Sequence, residues 1–241
     1  MPVCPKAGRP ATPAWSNCVE KQGGAAVFKV PSADELSSRP YAWWVYTKGA
    51  NWRHPEGPDS NIRGRDNEPV IQVTRRDAEA YARWRGHSLP TEAEWEWAAK
   101  AGRSDPSLDK APVDAKGKPA ANFWQGPFPA LNTRDDGYRG RAPVGCFAAN
   151  GFGLYDMIGN VWEWTASAYR GAHQAHGNGD PFVGASASGA ELKAGERAVI
   201  KGGSYLCTQD YCVRYRAAAR HPQEANLATS HVGFRTVLRG K

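Results

Sequence analysis

Methionine is scarce in this sequence, with two in 241 residues, and cysteine is limited to five. So few methionines exclude an adaptable, thioether-lined binding surface. Five is an odd number, which excludes a complete disulfide framework. Cys4, Cys18 and Cys146 have no metal-type spacing, and only Cys207 and Cys212 are near each other. Long apolar runs are absent too. The richest, residues 41–46, stops at Thr47-Lys48, far short of the ~20 apolar residues of a membrane span. The opening residues MPVCPKAGRPATP lack the apolar stretch of a signal peptide, so no membrane partner is expected. Charge of one sign never accumulates. The 31 Lys and Arg outnumber the 24 Asp and Glu, giving +7, but the two signs are interleaved. That pattern reads as a solvated basic surface, and nucleic acid is not expected as a partner.

Aromatic and turn-forming residues are abundant. Ten Trp, with 26 Gly and 18 Pro, describe a compact chain with many fixed aromatic packing sites and many loops. A chain of this length buries a core without needing metal or disulfides merely to fold. Residues 1–40 are Pro-, Ala- and Ser-rich and read mostly as loop. From Tyr41 the spacing predicts a short strand, followed by an extended loop around HPEGP. Two helices follow. Thr74 with Asp77 opens one, whose stripe Ala78, Tyr81, Ala82 and Trp84 ends at Gly86. Thr91 with Glu94 is the capping box of the second, which ends at Gly102, with Trp95, Ala98 and Ala99 facing inward. Trp84, Trp95 and Trp97 are expected in the core. Little helical pattern remains beyond Gly102, so the expected class is α+β, loop-rich, with few helices and short antiparallel strands.

Long loops need fixing, and this half carries oxygen donors. YDMIGNVWEW places Asp156 and Glu163 around a Gly-Asn turn, and Asn122 and Asp136 lie on Gly-bounded loops. Such clusters are either turn-formers and caps or ligands for Ca²⁺, which takes ~6–8 oxygens. The densest constellation is GGSYLCTQDYCVRYR. Its Cys207 and Cys212 are open to three readings: a disulfide, a soft-metal pair or two buried thiols. Zinc would want four ligands, and only His173 and His176 in HQAH could be considered for a second pair. Two thiolates alone suit Cu(I), and Arg214, Arg216 and Arg220 would lower the thiol pKa values if they face the pair.

Taken in order, NWRHPEGPDSNI, LPTEAEWEWAAKAG, ANFWQGPFPALNT, DDGYRGRAPVG, NGFGLYDMIGNVWEWT, KGGSYLCTQDYCVRYRAAAR and TSHVGFR resemble the formylglycine-generating enzyme family, the sulfatase-modifying oxidases. The resemblance implies the family's fold, related to C-type lectins. It also implies a copper-dependent oxidase that uses O₂ to convert a Cys in a C-x-P-x-R segment of an unfolded or nascent sulfatase polypeptide into Cα-formylglycine. On the matching positions, Cys207 and Cys212 would bind Cu(I). Ser204, Tyr211 and Trp162 would line the copper and oxygen pocket, and Arg220 and His231 would lie on the substrate-binding side. Asn122, Phe123, Asp136 and Tyr138 would form one calcium site, and Asp156, Gly159, Val161 and Glu163 a second. Phe123, Tyr138, Gly159 and Val161 would give backbone oxygens.

The family domain normally starts well before this Met1. Residues 1–22 match poorly, and residues 23–241 would form an oxidase domain lacking the family's N-terminal part, with a sheet edge left exposed. Cysteines that form structural disulfides in secreted relatives are missing around Ala217 and Thr236, which leads to the expectation of a bacterial, cytoplasmic protein. The alternative is a non-catalytic, calcium-stabilised binding module of the same superfamily. Iron-dependent sulfoxide synthases share the domain but need three histidines, and the six His here form no H-x-x-x-H-x-E motif.

Overall fold

The computed structural model describes residues 23–105, 110–171, 195–209 and 211–240. Residues 1–22, with Cys4 and Cys18, and the HQAH pair His173 and His176 lie outside the described residues. Strand β1 (Gly24–Phe28) pairs antiparallel with β2 (Trp44–Lys48), Phe28 opposite Trp44. A four-stranded sheet has the order β5 (Arg220–Glu224), β4 (Arg197–Lys201), β3 (Trp162–Ala168), β6 (Val232–Gly233). Its β3–β6 pair is parallel and the other two are antiparallel. Helices α1 (Ala33–Ser38), α2 (Arg75–Trp84) and α3 (Glu92–Lys100) precede that sheet in the chain. The remainder of the described chain is loop, in keeping with the α+β, loop-rich class.

Helices α2 and α3 start where their side chains satisfy the free N–H groups of the first turn. Thr74 accepts from Asp77 N while Asp77 accepts from Thr74 N, and Thr91 and Glu94 repeat this reciprocal pair. Ala101 ends α3 in the left-handed conformation. Helix α1 uses the same device, Ser32 with Glu35, inside a segment whose composition reads as loop. It buries no residue, so no apolar periodicity marks it. Strand β1 lies in that segment as well.

Trp95 is buried as expected, but Trp97 is 55% exposed and Trp84 47% exposed. Each lies two positions beyond a buried residue, Trp95 or Ala82, which turns it ~200° around a 3.6-residue helix to the outer face. Trp97 packs on Phe152 instead, ring centroids 4.8 Å apart. Inside, Trp164 and Ile200 are fully enclosed among Val73, Leu89, Phe123 and Val232. The Trp164 indole donates to the Val73 carbonyl (3.0 Å), which ties the sheet to the segment leading into α2. No helix among the described residues is long and apolar enough to cross a membrane. Cys146 is disulfide-bonded.

The loops are held at Asn160, which is buried and adopts φ +57°. Its backbone N–H donates to the Asn122 carbonyl (2.8 Å) and its carbonyl accepts from Tyr205 N (2.9 Å). Its side-chain amide exchanges two hydrogen bonds with Ala142, each 3.1 Å. Asn is among the few residues that tolerate this backbone conformation, and its amide completes a buried polar cluster. Asn160→Ala should strand the Ala142 N–H and C=O and strain the turn, costing about 3 kcal/mol or more. Urea unfolding of the two forms checks this, and a loss under 1 kcal/mol would contradict it.

Candidate active site

Gly202 and Gly203, with φ of +96° and +77°, fold the chain sharply after β4. A Cβ on Gly203 would lie 2.8 Å from Tyr215 Cα, so the backbones of residues 203 and 215 meet only because side-chain atoms are missing there. This closure makes residues 204–209 and 211–214 a loop. Cys207 N donates to the Ser204 carbonyl (2.9 Å) and Cys212 N to the Thr208 carbonyl (3.1 Å). The Cys207 carbonyl accepts from Trp124 N (2.9 Å). The result is a Cys207 Sγ to Cys212 Sγ distance of 3.0 Å between two free thiols, which disposes of the disulfide reading for this state.

Both sulfurs line a cavity of about 460 Å³. Ser204, Trp162, Tyr211 and His231, all selected from the sequence, line it as well. Arg220 does not: it is salt-bridged to Glu92 (2.7 Å) and donates to the Gly171 carbonyl (2.6 Å). Arg214, considered from the sequence for its charge, lines it too, whereas sequence reasoning missed Tyr41, Trp43, Trp44, Phe128, Leu206 and His221. The signal for the first three was the aromatic run YAWWVY, read only as a strand. Phe128 stacks on Tyr211 with centroids 5.1 Å apart and planes at 8°, and Trp43 meets both edge-on. These rings form a wall that is half in solvent at Tyr211 and Tyr41.

The electrostatics of the pair are asymmetric. Burial pushes the Cys207 thiol up, and its hydrogen bond to Cys212 adds to this. That same bond, with Arg214 reaching Cys212 Sγ at 3.8 Å, brings Cys212 down to about 7 against its own burial. Of the three arginines considered from sequence, Arg214 alone acts on it. A soft, half-ionised sulfur pair thus faces the cavity. Among the described residues no group of three or more His, Cys, Asp and Glu could hold a metal. The donor set therefore fits a two-coordinate thiophilic ion and not tetrahedral zinc.

Of the expected calcium residues, Asp136 is joined to Phe123 and Tyr138 through their N–H groups, and Asp156 and Glu163 are joined through Arg235. Asp136 is half-buried, accepts from Phe123 N (3.2 Å) and Tyr138 N (2.8 Å), and has no Lys or Arg partner among the described residues. Burial raises its pKa. An uncompensated carboxylate beside Asn122 and loop carbonyls suits a hard cation, although Gln125 Nε2 already donates to the Phe123 carbonyl. At the second cluster, burial likewise raises the Asp156 pKa, and Gly145 N donates to its carboxylate (2.6 Å). Glu163 is bidentate with Arg235 (2.5 and 2.7 Å) and accepts from the Trp95 indole (2.7 Å), so a cation there would share a carboxylate that is already neutralised.

Residues 11–239 match the family model described as the sulfatase-modifying factor enzyme 1-like domain. The chain belongs to that family. It is 47% identical over 219 residues to the formylglycine-generating enzyme of Mycobacterium tuberculosis, covering 89% of this chain and 72% of that protein. Against the mouse formylglycine-generating enzyme the identity is 43% over 225 residues. That match covers 90% of this chain, but the chain spans only 58% of the mouse protein. A further family relative, the bovine inactive C-alpha-formylglycine-generating enzyme 2, is 36% identical over 223 residues, covering 88% of this chain and 66% of that protein. Among solved structures, PvdO from Pseudomonas aeruginosa is similar at a TM-score of 0.54 and 28% identity, over 70% of this chain and 61% of that one. Treponema denticola variable protein 1 gives 0.54 at 21% identity, over 87% and 91%, and shows the shared fold alone.

His221 and His231 both stay neutral at ordinary pH. Burial holds His231 down to about 3 and His221 to about 4, where the Arg214 charge contributes. Unfolded rings would take protons below roughly pH 6.5, so the stability these two residues contribute is full above that value and falls as pH drops toward 3. In a proton NMR titration, both ring resonances should stay flat from roughly pH 8 to 5. A midpoint near 6.5 for either would contradict the burial argument.

Proposed function

We propose that this chain is a copper-dependent oxidase that uses O₂ to convert a cysteine in a C-x-P-x-R segment of an unfolded sulfatase polypeptide into Cα-formylglycine. The observation that carries the reading is the Cys207–Cys212 pair, 3.0 Å apart in the wall of an aromatic cavity and held by a chain with formylglycine-generating relatives. Copper(I), when bound, would supply the one-electron chemistry and the open position for a third sulfur that no side chain offers. Cys207 and Cys212 would hold it. The aromatic wall would flank the incoming peptide, and Ser204, whose carbonyl accepts from Cys207 N, fixes the turn that aims Cys207. The overall change takes CH₂–SH to CHO and releases hydrogen sulfide. One O₂ accepts four electrons, two from the substrate and two from an added thiol reductant, and ends as two waters, while a water hydrolyses the thioaldehyde left on the substrate, supplying the aldehyde oxygen and releasing the sulfide.

Cys207→Ala and Cys212→Ala should each lower aldehyde formation ~100-fold or more, beyond the loss caused by changing only a ligand's supporting hydrogen bond. Each should melt within a few degrees of the parent, since a small thiol adds little packing. The assay is mass spectrometry of a C-x-P-x-R peptide incubated with protein, copper, thiol reductant and air. Substantial activity in either variant contradicts the thiol-pair mechanism.

The inactive relative gives the second reading a footing: a calcium-stabilised binding module without catalysis. Failure to bind Cu(I) through the two cysteines would favour it. Under either reading we propose calcium at the Asp136 and Asp156 clusters. Excess chelator should then lower the melting temperature, by the equivalent of ~2.7 kcal/mol if free calcium had stood at a hundred times its dissociation constant. An unchanged melt after complete calcium removal, checked by elemental analysis, would reject both sites.

A further inference from the structure

A thiol becomes a soft-metal ligand only after losing its proton, and a free cysteine, pKa ~8.5, is mostly protonated at neutral pH. A group lining the cavity that carries this proton from the incoming cysteine to water would speed the step. Few of the lining groups can. Arg214 is permanently charged, burial raises the Tyr211 pKa so that the phenol stays protonated, and Cys207 and Cys212 are committed to the ion. The imidazoles of His221 and His231 remain.

They are not equivalent. His231 Nδ1 is engaged with Thr229 Oγ1 (3.0 Å), and its ring lies against Trp44 with centroids 4.7 Å apart. His221, at the second position of β5, rests on the Trp162 ring (5.7 Å), and neither of its nitrogens hydrogen-bonds to a described residue. A half-buried ring with both nitrogens unclaimed in a cavity shared with two thiols is placed to exchange protons rather than to hold structure.

We propose that His221 accepts the proton of the substrate thiol as that cysteine enters the cavity. The proposal rests on the reading of this cavity as a cysteine-oxidising site. In the step, the substrate S–H bond breaks, an N–H bond forms on the imidazole, and the thiolate is left for the ion held by Cys207 and Cys212. The groups that face His221 are Arg214 from the cysteine loop and His231 from the segment before β6, with Cys207, Cys212 and Tyr211 lining the same cavity. Arg214 disfavours an imidazolium beside it, so the proton passes on to water instead of resting there. That suits a carrier: ligation itself acidifies the thiol, and the ring need only move the proton out.

The test follows protons rather than product. Protein loaded with copper(I) is mixed anaerobically with a C-x-P-x-R peptide in weak buffer containing a pH indicator, so that no turnover occurs. The parent should release about one proton per peptide, and a peptide with Ser in place of Cys should release none. In His221→Gln and His221→Ala the release should be at least tenfold slower at unchanged peptide affinity, copper content and melting temperature. Added imidazole should restore the rate in His221→Ala. In both variants the rate should climb with pH toward the thiol pKa, whereas the parent stays nearly flat between roughly pH 6 and 8. Release as fast as the parent's in both variants overturns the proposal, as does slow release without imidazole rescue or with an equal loss of peptide affinity. A parent that binds the peptide without releasing a proton, or does not bind it, overturns the oxidase reading itself and this inference with it.

Discussion

Asn160 is the constraint on which the loop half of the molecule depends. Four hydrogen bonds leave one residue toward three separate loops, at Asn122, Ala142 and Tyr205. The neighbouring Gly159 has φ +78°, and a Cβ there would collide with the Asn122 carbonyl, so the two loops approach to backbone contact. From Asn122 the chain runs two residues to Trp124, whose N–H holds the Cys207 carbonyl. The position of the thiol is thus set by backbone groups in loops distant in sequence, with little contribution from regular secondary structure. Asp136, which accepts from Phe123 N in the same segment, lies on this path. A cation there would stiffen the support of Cys207 without touching it.

Burial of the pair makes each nearby charge count. Cys207 is buried and Cys212 largely so, and the Arg214 field on Cys212 is less screened than it would be at an open surface. Burial likewise keeps both imidazoles uncharged. The site consequently holds one acidified thiol, one suppressed thiol and two neutral nitrogen bases, an arrangement that resists accumulating positive charge.

Local chemistry was legible in the sequence and long-range assembly was not. Thr74 with Asp77 and Thr91 with Glu94 announce their helices because a capping box is a four-residue event. Ser32 with Glu35 carries the same signature and was passed over, because a six-residue helix that buries nothing leaves no periodic stripe. The Cys207–Cys212 spacing marked the thiol pair. The aromatic wall opposite comes from residues 41–44 and 128, and nothing in those segments says which face of which loop they will cover. Trp84 and Trp97 show the limit of residue type as a guide to burial: at two positions from a buried neighbour, helical phase overrides the hydrophobicity of the ring.

Arg220 carries that lesson into the chemistry. The resemblance implies a place for it on the substrate-binding side, and the fold pairs its charge with a carboxylate. Glu92 at the start of α3 pairs with Arg220 at 2.7 Å, and the fully buried Lys201 pairs with Glu96 one turn on at 2.9 Å. These pairs clamp α3 to β5 and β4. A buried Lys is tolerated only with such partners, and removing one carboxylate would leave an uncompensated charge next to the sheet. Arg214, six residues earlier, is exposed, reaches Cys212 and lines the cavity. Two arginines of one motif therefore divide the work between holding the sheet to its helix and charging the site. What assigns them, among the described residues, is the presence or absence of a carboxylate within reach, which a motif does not encode.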